Sequence, residues 1–92
     1  MKSLPKHVKI GVHRYRIILV DVPDDIETKN SAAVNRQCGT IMIDKSLMSS
    51  EMLVAFLHES IHVMNGELTE TDVDFMAQSL AQFLVDNKLF KL

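Results

Sequence analysis

The sequence has little of what marks several large classes of protein. Its one cysteine, Cys38, cannot form a disulfide within the chain, which excludes a disulfide-stapled secreted scaffold. It has 10 Lys and Arg against 12 Asp and Glu and no basic block, which argues against a nucleic-acid partner bound through phosphates. No apolar run approaches the roughly 18–20 residues that cross a membrane, and the first residues lack the apolar stretch of an export signal. We therefore expect a cytoplasmic protein without a membrane or nucleic-acid partner.

Apolar residues, in contrast, are plentiful enough for one hydrophobic core. They make up 47% of the 92 residues, which is too high a fraction for a disordered chain. A chain of this length buries only about 60–65% of its unfolded surface, so the core is thin. We expect a single domain over residues 1–92.

The first half of the chain favours strands. Residues 6–20 alternate apolar and polar side chains, and Gly11 marks a hairpin turn or a bulge between two short strands. Residues 21–35 have no sustained period and are predicted to form a loop. A further strand is predicted over residues 38–44, with Ile41 and Ile43 on one face.

Helical spacing replaces strand spacing from Ser49 onward. Ser49 or Ser50 is predicted to cap the first helix, and Gly66 is predicted to end it in the left-handed conformation. Thr69 and Asp72 have the spacing of a capping box, so a second helix is expected from near Thr69 to about residue 87. About three strands followed by two helices predict an α+β fold. The apolar positions are Leu53, Phe56, Leu57, Ile61 and Met64 in the first helix, and Val73, Met76, Leu80, Phe83 and Leu84 in the second.

One motif in the first helix carries chemistry. His58-Glu59-Ser60-Ile61-His62 is an H-E-x-x-H run. Residues four apart lie one above the other on a helix, so the two imidazoles can share one metal ion. Zinc lowers the pKa of a coordinated water to about 7, and the carboxylate of Glu59 is placed to take a proton from such a water. We therefore expect a zinc site with a catalytic Glu59.

A catalytic zinc site needs a third protein ligand. Four acidic residues follow the motif closely: Glu67, Glu70, Asp72 and Asp74. Glu67 is so near the end of the first helix that the backbone would have to reverse at once. Glu70 opens the second helix after the turn, which favours it modestly over Asp74 on spacing alone. Acids in a first helical turn also stabilise the helix dipole, so spacing leaves the ligand open.

Several segments together resemble one known family, the small zincin metallopeptidases of the ImmA/IrrE type, and most closely their short versions carried by phages and mobile elements. The resemblance covers most of the chain. It includes Ile-Gly-x-x-x-Tyr at residues 10–15 and Gly-x-Ile-x-Ile-Asp at residues 39–44. It continues with the H-E-x-x-H helix at residues 56–62 and Glu-Thr-Asp-Val-Asp-Phe-Met-Ala at residues 70–77.

This resemblance implies a minimal zincin-like core that binds one Zn2+ per chain through His58, His62 and Glu70. It implies a metallo-endopeptidase that acts on a protein or peptide substrate, such as a repressor or another regulator, with Glu59 as general base. The strand at residues 39–44 is then the expected partner of an extended substrate. Two alternatives stay open: a binding or inhibitory module of this fold without turnover, and a metal-dependent hydrolase of a non-peptide bond.

Three further residues have simpler interpretations. Tyr15 and His13 could donate to a developing oxyanion, but both are interpreted as strand residues. Cys38 is expected to be a small buried apolar residue, the usual state of a lone cysteine.

Overall fold

A computed structural model describes residues 4–21 and 32–91. These residues confirm the α+β class, but the sheet has four strands instead of about three. None of the helices in these two ranges is long and apolar enough to cross a membrane. The elements are β1 His7–Ile10, β2 His13–Val20, β3 Ala32–Asn35, β4 Thr40–Asp44, α1 Ser49–Met64 and α2 Glu70–Asp86.

The four strands form one mixed sheet in the order β1-β2-β4-β3. β1 pairs with β2 and β3 pairs with β4 in antiparallel fashion, whereas β2 and β4 are parallel. The prediction of a loop over residues 21–35 is wrong at its end, because β3 lies there. Its short Ala-Ala-Val-Asn sequence has weak strand character, and pairing with β4 gives it an extended conformation. Residues 22–31 of the predicted loop lie outside the described residues.

Two glycines with positive φ shape the turns of the sheet. Gly11, at φ +63°, joins β1 to β2, so the predicted hairpin is confirmed. Gly39, at φ +66°, ends the turn before β4, which therefore begins at Thr40 and not at Cys38 as predicted. A Cβ added at Gly39 would lie 3.1 Å from the carbonyl oxygen of Arg14, so this turn also requires a residue without a side chain.

The core lies between the sheet and α1. Ile41 and Ile43 are fully buried, which confirms that they share one face of β4. Tyr15 and Ala55 complete this cluster with Ile10. α2 packs on the opposite side of α1 and, among the described elements, contacts α1 alone. The molecule is thus layered as sheet, α1 and α2.

The helix ends differ in how well they were predicted. The N-cap of α1 is Met48, not Ser49 or Ser50, and the Glu51 side chain accepts a hydrogen bond from the Met48 N–H at 3.2 Å. α1 ends at Met64, and its C-cap residue Asn65 is extended; Gly66 is not among the glycines with positive φ, so its predicted role is wrong. Thr69 caps α2 as predicted, since its hydroxyl accepts from the Asp72 N–H at 3.1 Å.

The face that α2 presents to α1 is rotated from the one predicted. Val73, Ala77 and Ala81 are the buried residues of α2. Two of the three are alanines, which allow the helix axes to approach closely. The larger apolar residues of the predicted face lie beside this contact and remain exposed, in contrast to the prediction: Met76, Leu80 and Phe83.

Candidate metal centre

The two histidines of the H-E-x-x-H motif lie next to each other on α1. Their Nε2 atoms are 3.0 Å apart, and the ring centroids are separated by 4.7 Å in an edge-on arrangement. The side chains of His58 and His62 are 19% and 21% exposed, so both rings are mostly shielded but reachable from solvent. This is the arrangement that the four-residue spacing predicts.

Glu70 supplies a carboxylate to the same point from α2. Its Oε2 lies 3.4 Å from Nε2 of His58, and its Oε1 contacts Nε2 of His62. One ligand atom from each of the three residues lies within 4.8 Å of the others. Two adjacent helices thus bring two imidazole nitrogens and a carboxylate together, with all three aimed at one another.

Asp74 approaches the other side of the first imidazole. Its Oδ1 lies 2.8 Å from Nδ1 of His58, one helical turn beyond Glu70 on α2. A carboxylate on Nδ1 keeps the proton on that nitrogen and leaves the Nε2 lone pair free. The structure therefore places Glu70 and Asp74, which spacing alone did not separate, on different nitrogens of His58. Glu67 and Asp72 lie outside this group of candidate metal ligands.

Two of the three separations within the cluster suit a tetrahedral metal ion, and the third, between His62 and Glu70, is shorter. Ligand atoms about 2.0–2.1 Å from zinc at tetrahedral angles lie about 3.3–3.4 Å from each other. The His58–His62 and His58–Glu70 separations of 3.0 and 3.4 Å fall near this value. Two neutral imidazoles and one carboxylate are also a donor set that zinc prefers. The residues present therefore fit a zinc ion.

Glu59 lies beside the cluster, buried to 8% exposure. Loss of water around its carboxyl group raises its pKa above the usual value, and the nearby His58 and His62 partly offset this. The negative charge of Glu70 also raises the pKa of Glu59, while the positive charge of Arg36 lowers it. A buried carboxyl group with a raised pKa beside two imidazoles is suited to accept and return a proton.

The cluster lines a cleft of about 1060 Å³ between α2 and β3, with α1 along its base. β3 is an edge strand of the sheet, whereas β4 is paired on both sides. The prediction that residues 39–44 receive an extended substrate is therefore wrong, because that strand has no free edge. Apart from the cluster, Glu59 and Asp74, the cleft is lined by Ala32, Ala33, Val34, Leu47, Ser50, Glu51, Val54, Ala55, Gln78 and Gln82.

Sequence reasoning missed several residues near the site. Gln78 and Gln82 continue the cleft-facing row of α2 at four-residue spacing beyond Asp74, and this period was the available signal. Arg36 donates a hydrogen bond from Nη2 to the carbonyl oxygen of His62 at 3.0 Å. Nothing in the sequence links two residues 26 positions apart, so that contact required the fold.

The remaining candidates lie away from the cleft. Tyr15 is buried in the core and His13 is exposed, and neither lines the cleft. Cys38 is exposed, contrary to the expectation of burial, because it lies in the turn before β4 and not in a strand.

Comparison with protein-family models, curated proteins and solved structures finds no match for this chain. The geometry of its own residues therefore carries the functional argument. That geometry consists of two imidazole Nε2 atoms, a carboxylate from a second helix and a buried glutamate beside them.

Proposed function

We propose that this chain is a zinc-dependent metallo-endopeptidase of zincin type. The observation that carries the proposal is the convergence of Glu70 from α2 on the Nε2 atoms of His58 and His62 on α1. The buried carboxyl group of Glu59 beside this donor set adds to it. Three protein ligands leave one tetrahedral position open, which is the arrangement of catalytic zinc sites.

Each residue then has a defined role. His58, His62 and Glu70 would hold the metal, which when bound supplies a Lewis acid that polarises a carbonyl group and acidifies water. Glu59 accepts a proton from the attacking water and later donates it to the leaving amine. Asp74 orients His58 through Nδ1, so that Nε2 faces the donor set.

The proposed substrate is an extended segment of a protein, with a regulator as one such protein. Among the described strands β3 is paired on one edge only, by β4, and it borders the cleft, so its other edge can form a ladder with an extended chain. We also propose a cytoplasmic location, which the single unpaired cysteine favours. Origin in a phage or mobile element belongs to the same proposal and rests on the sequence resemblance alone.

Metal analysis is the first test. We expect one zinc per chain in the wild type and in Glu59→Gln, because Glu59 is not among the clustered donors. We expect a large loss of zinc in His58→Ala but not in the matched control His13→Ala, whose histidine lies outside the cluster. Wild-type protein that purifies without metal in the absence of chelator would refute the proposal.

Hydrolysis is the second test. A mixture of denatured proteins incubated with the zinc-loaded chain should yield new peptide ends, detected by mass spectrometry. Glu59→Gln should retain zinc and lose this cleavage by a factor of about 10² or more, the usual contribution of a general base. Stoichiometric zinc without any cleavage would favour a binding or inhibitory module. Cleavage of ester substrates alone would favour a hydrolase of another bond.

A further inference from the structure

Side chains on α1 and α2 line the cleft in two facing rows. In each row the residues recur every four positions, which is one side of a helix. His62 contacts Glu70 at one end of the rows. One turn further along, His58 contacts Asp74, so the two rows run antiparallel. The row on α1 is Ser50, Val54, His58 and His62, and the row on α2 is Glu70, Asp74, Gln78 and Gln82.

Beyond the donor cluster the cleft has an uncharged middle. The next step along the two rows sets Val54 opposite Gln78, and Ala55 lines the cleft beside Val54. Two of these three side chains are small and apolar, and the third is a neutral amide. This part of the cleft can therefore take an extended chain without selecting for charge.

The far end of the cleft is polar and carries a negative charge. The last step along the rows sets Ser50 opposite Gln82, and Glu51 lines the cleft next to Ser50. Glu51 is exposed and caps α1 through Oε1 alone, which leaves its second carboxylate oxygen and its charge available to a ligand. Among the described residues that line the cleft there is no Lys or Arg. A carboxylate, a hydroxyl and an amide oxygen thus lie together at this end, and all three accept hydrogen bonds.

We propose that this end of the cleft selects a Lys or Arg side chain of the bound segment, with Glu51 as the specificity-determining residue. A cationic side chain has only donors, and its bond to a carboxylate is charge-assisted. Ser50 and Gln82 supply further acceptors for the remaining donors. The proposal rests on the proposed function and narrows its substrate class to extended segments with a basic residue.

The dimensions of the cleft predict where the basic residue lies in the substrate. Glu51 precedes Glu59 by eight residues on α1, which is about 12 Å along the helix axis. An extended chain advances about 3.3–3.4 Å per residue, so Glu51 is level with the third or fourth residue from the cleaved bond. His62 lies toward the other end of α1. We therefore expect the preference on one side of the cleaved bond only.

Peptide binding tests the charge preference without turnover. The probes are unstructured peptides of about ten residues, each made in a Lys, a Ser and a Glu version, and the protein is Glu59→Gln as purified. We expect the Lys versions to bind roughly two- to fivefold more tightly than the Ser versions, the size expected of an exposed ion pair. The Glu versions should bind more weakly than both. Because exposed charges are screened, 0.5 M salt should remove the differences.

Two variants in the Glu59→Gln background assign the preference to Glu51. Glu51→Gln removes the charge and keeps an amide oxygen for the cap, so it should abolish the difference between Lys and Ser peptides. The matched control is Glu67→Gln, since Glu67 is exposed and does not line the cleft. It should keep the full difference. Circular dichroism shows whether each variant is folded.

A third variant adds charge to the same end of the cleft. Gln82→Glu places a second carboxylate opposite Ser50, so it should raise the preference for Lys peptides above that of the parent protein. If Glu51→Gln does not fold, Gln82→Glu decides the outcome, and an unchanged preference overturns the proposal. Equal binding of the Lys and Glu peptides to the parent protein also overturns it.

Mapping of cleavage sites separates this proposal from the proposed function. Sites cut by the wild type should be enriched in Lys or Arg at the third or fourth residue on one side, and Glu51→Gln should lose this enrichment. Cleavage without enrichment, or with enrichment that persists in Glu51→Gln, overturns the role of Glu51 and leaves the proposed function standing. Selective binding that depends on Glu51, in a wild type that cuts nothing, supports the role of Glu51 and counts against a peptidase.

Discussion

The contact between Asp74 and His58 should tune metal affinity without supplying a ligand. Oδ1 of Asp74 lies 2.8 Å from Nδ1 of His58, while Glu70 faces Nε2. Asp74→Asn keeps the shape of the side chain and removes its charge. An amide oxygen accepts from Nδ1–H more weakly than a carboxylate does, so the tautomer that leaves the Nε2 lone pair free is less favoured.

The size of the effect follows from exposure. Loss of an outer carboxylate on a metal-binding histidine typically costs 10–100-fold in affinity. The Asp74 side chain is 57% exposed, so water can replace part of its interaction. We therefore expect a loss of about tenfold, or about 1.4 kcal/mol. Glu70→Gln removes a charged donor from the cluster itself and should cost considerably more.

Competition with a chromophoric zinc chelator at pH 7 measures both losses. Asp72→Asn is the matched control, because Asp72 lies on the same helix and its backbone, not its side chain, bonds to the Thr69 cap. We expect its affinity to equal that of the wild type. An Asp74→Asn variant with wild-type affinity would refute the reasoning. So would a variant that loses more affinity than Glu70→Gln, since Asp74 would then behave as the ligand.

Three further predictions concern stability and are measured by denaturant unfolding with zinc absent. Gly39→Ala should lower the free energy of unfolding by about 2 kcal/mol, and Gly11→Ala should lower it by about 1 kcal/mol. Both glycines have positive φ, but only at Gly39 would the new Cβ meet a backbone oxygen. Equal losses would contradict the contact argument. Thr69→Ala should cost about 1 kcal/mol through loss of the cap, and an unchanged midpoint would count against that hydrogen bond. Leu53→Ala, at a 1% exposed position, should cost about 2–4 kcal/mol, and a loss below 1 kcal/mol would contradict its burial.

The features that could be predicted from the sequence are those set by local geometry. The four-residue spacing of His58 and His62 is enough to bring two imidazoles together on any helix. Thr69 caps α2 by accepting a hydrogen bond from the N–H of Asp72, three residues further along, so the local sequence identifies both partners. Gly11 is similar, because a two-residue turn between alternating segments favours a residue that tolerates positive φ.

The features that could not be predicted depend on distant partners. β3 is extended because Ala33 and Val34 pair with Met42 and Ile41 of β4, and its own residues have little strand preference. β4 pairs with β2 on one edge and with β3 on the other, so it has no free edge, which a pattern of alternation does not reveal. The expected substrate strand was wrong for this reason.

The choice between Glu70 and Asp74 depends on how α2 is rotated against α1. Both residues lie on one side of α2 at four-residue spacing, so the sequence alone cannot say which carboxylate meets which nitrogen. The rotation is determined by Val73 and Ala77, which are fully buried against a cluster that includes Ile61. Reading Met76 and Leu80 as the contact face would have turned α2 away from this orientation.

Packing and the proposed metal binding therefore act on the same contact between α1 and α2. Val73 and Ala77 alternate along α2 with Glu70 and Asp74, so each turn that docks on α1 also presents a carboxylate to His58 or its neighbour. Among the described elements α2 has no other support than α1. An ion held by residues of both helices adds its binding free energy to this docking, about 2.7 kcal/mol at a free metal concentration 100 times the dissociation constant. If the proposed zinc site is occupied, a chain with so thin a core gains from it stability that a larger domain would obtain from additional apolar burial.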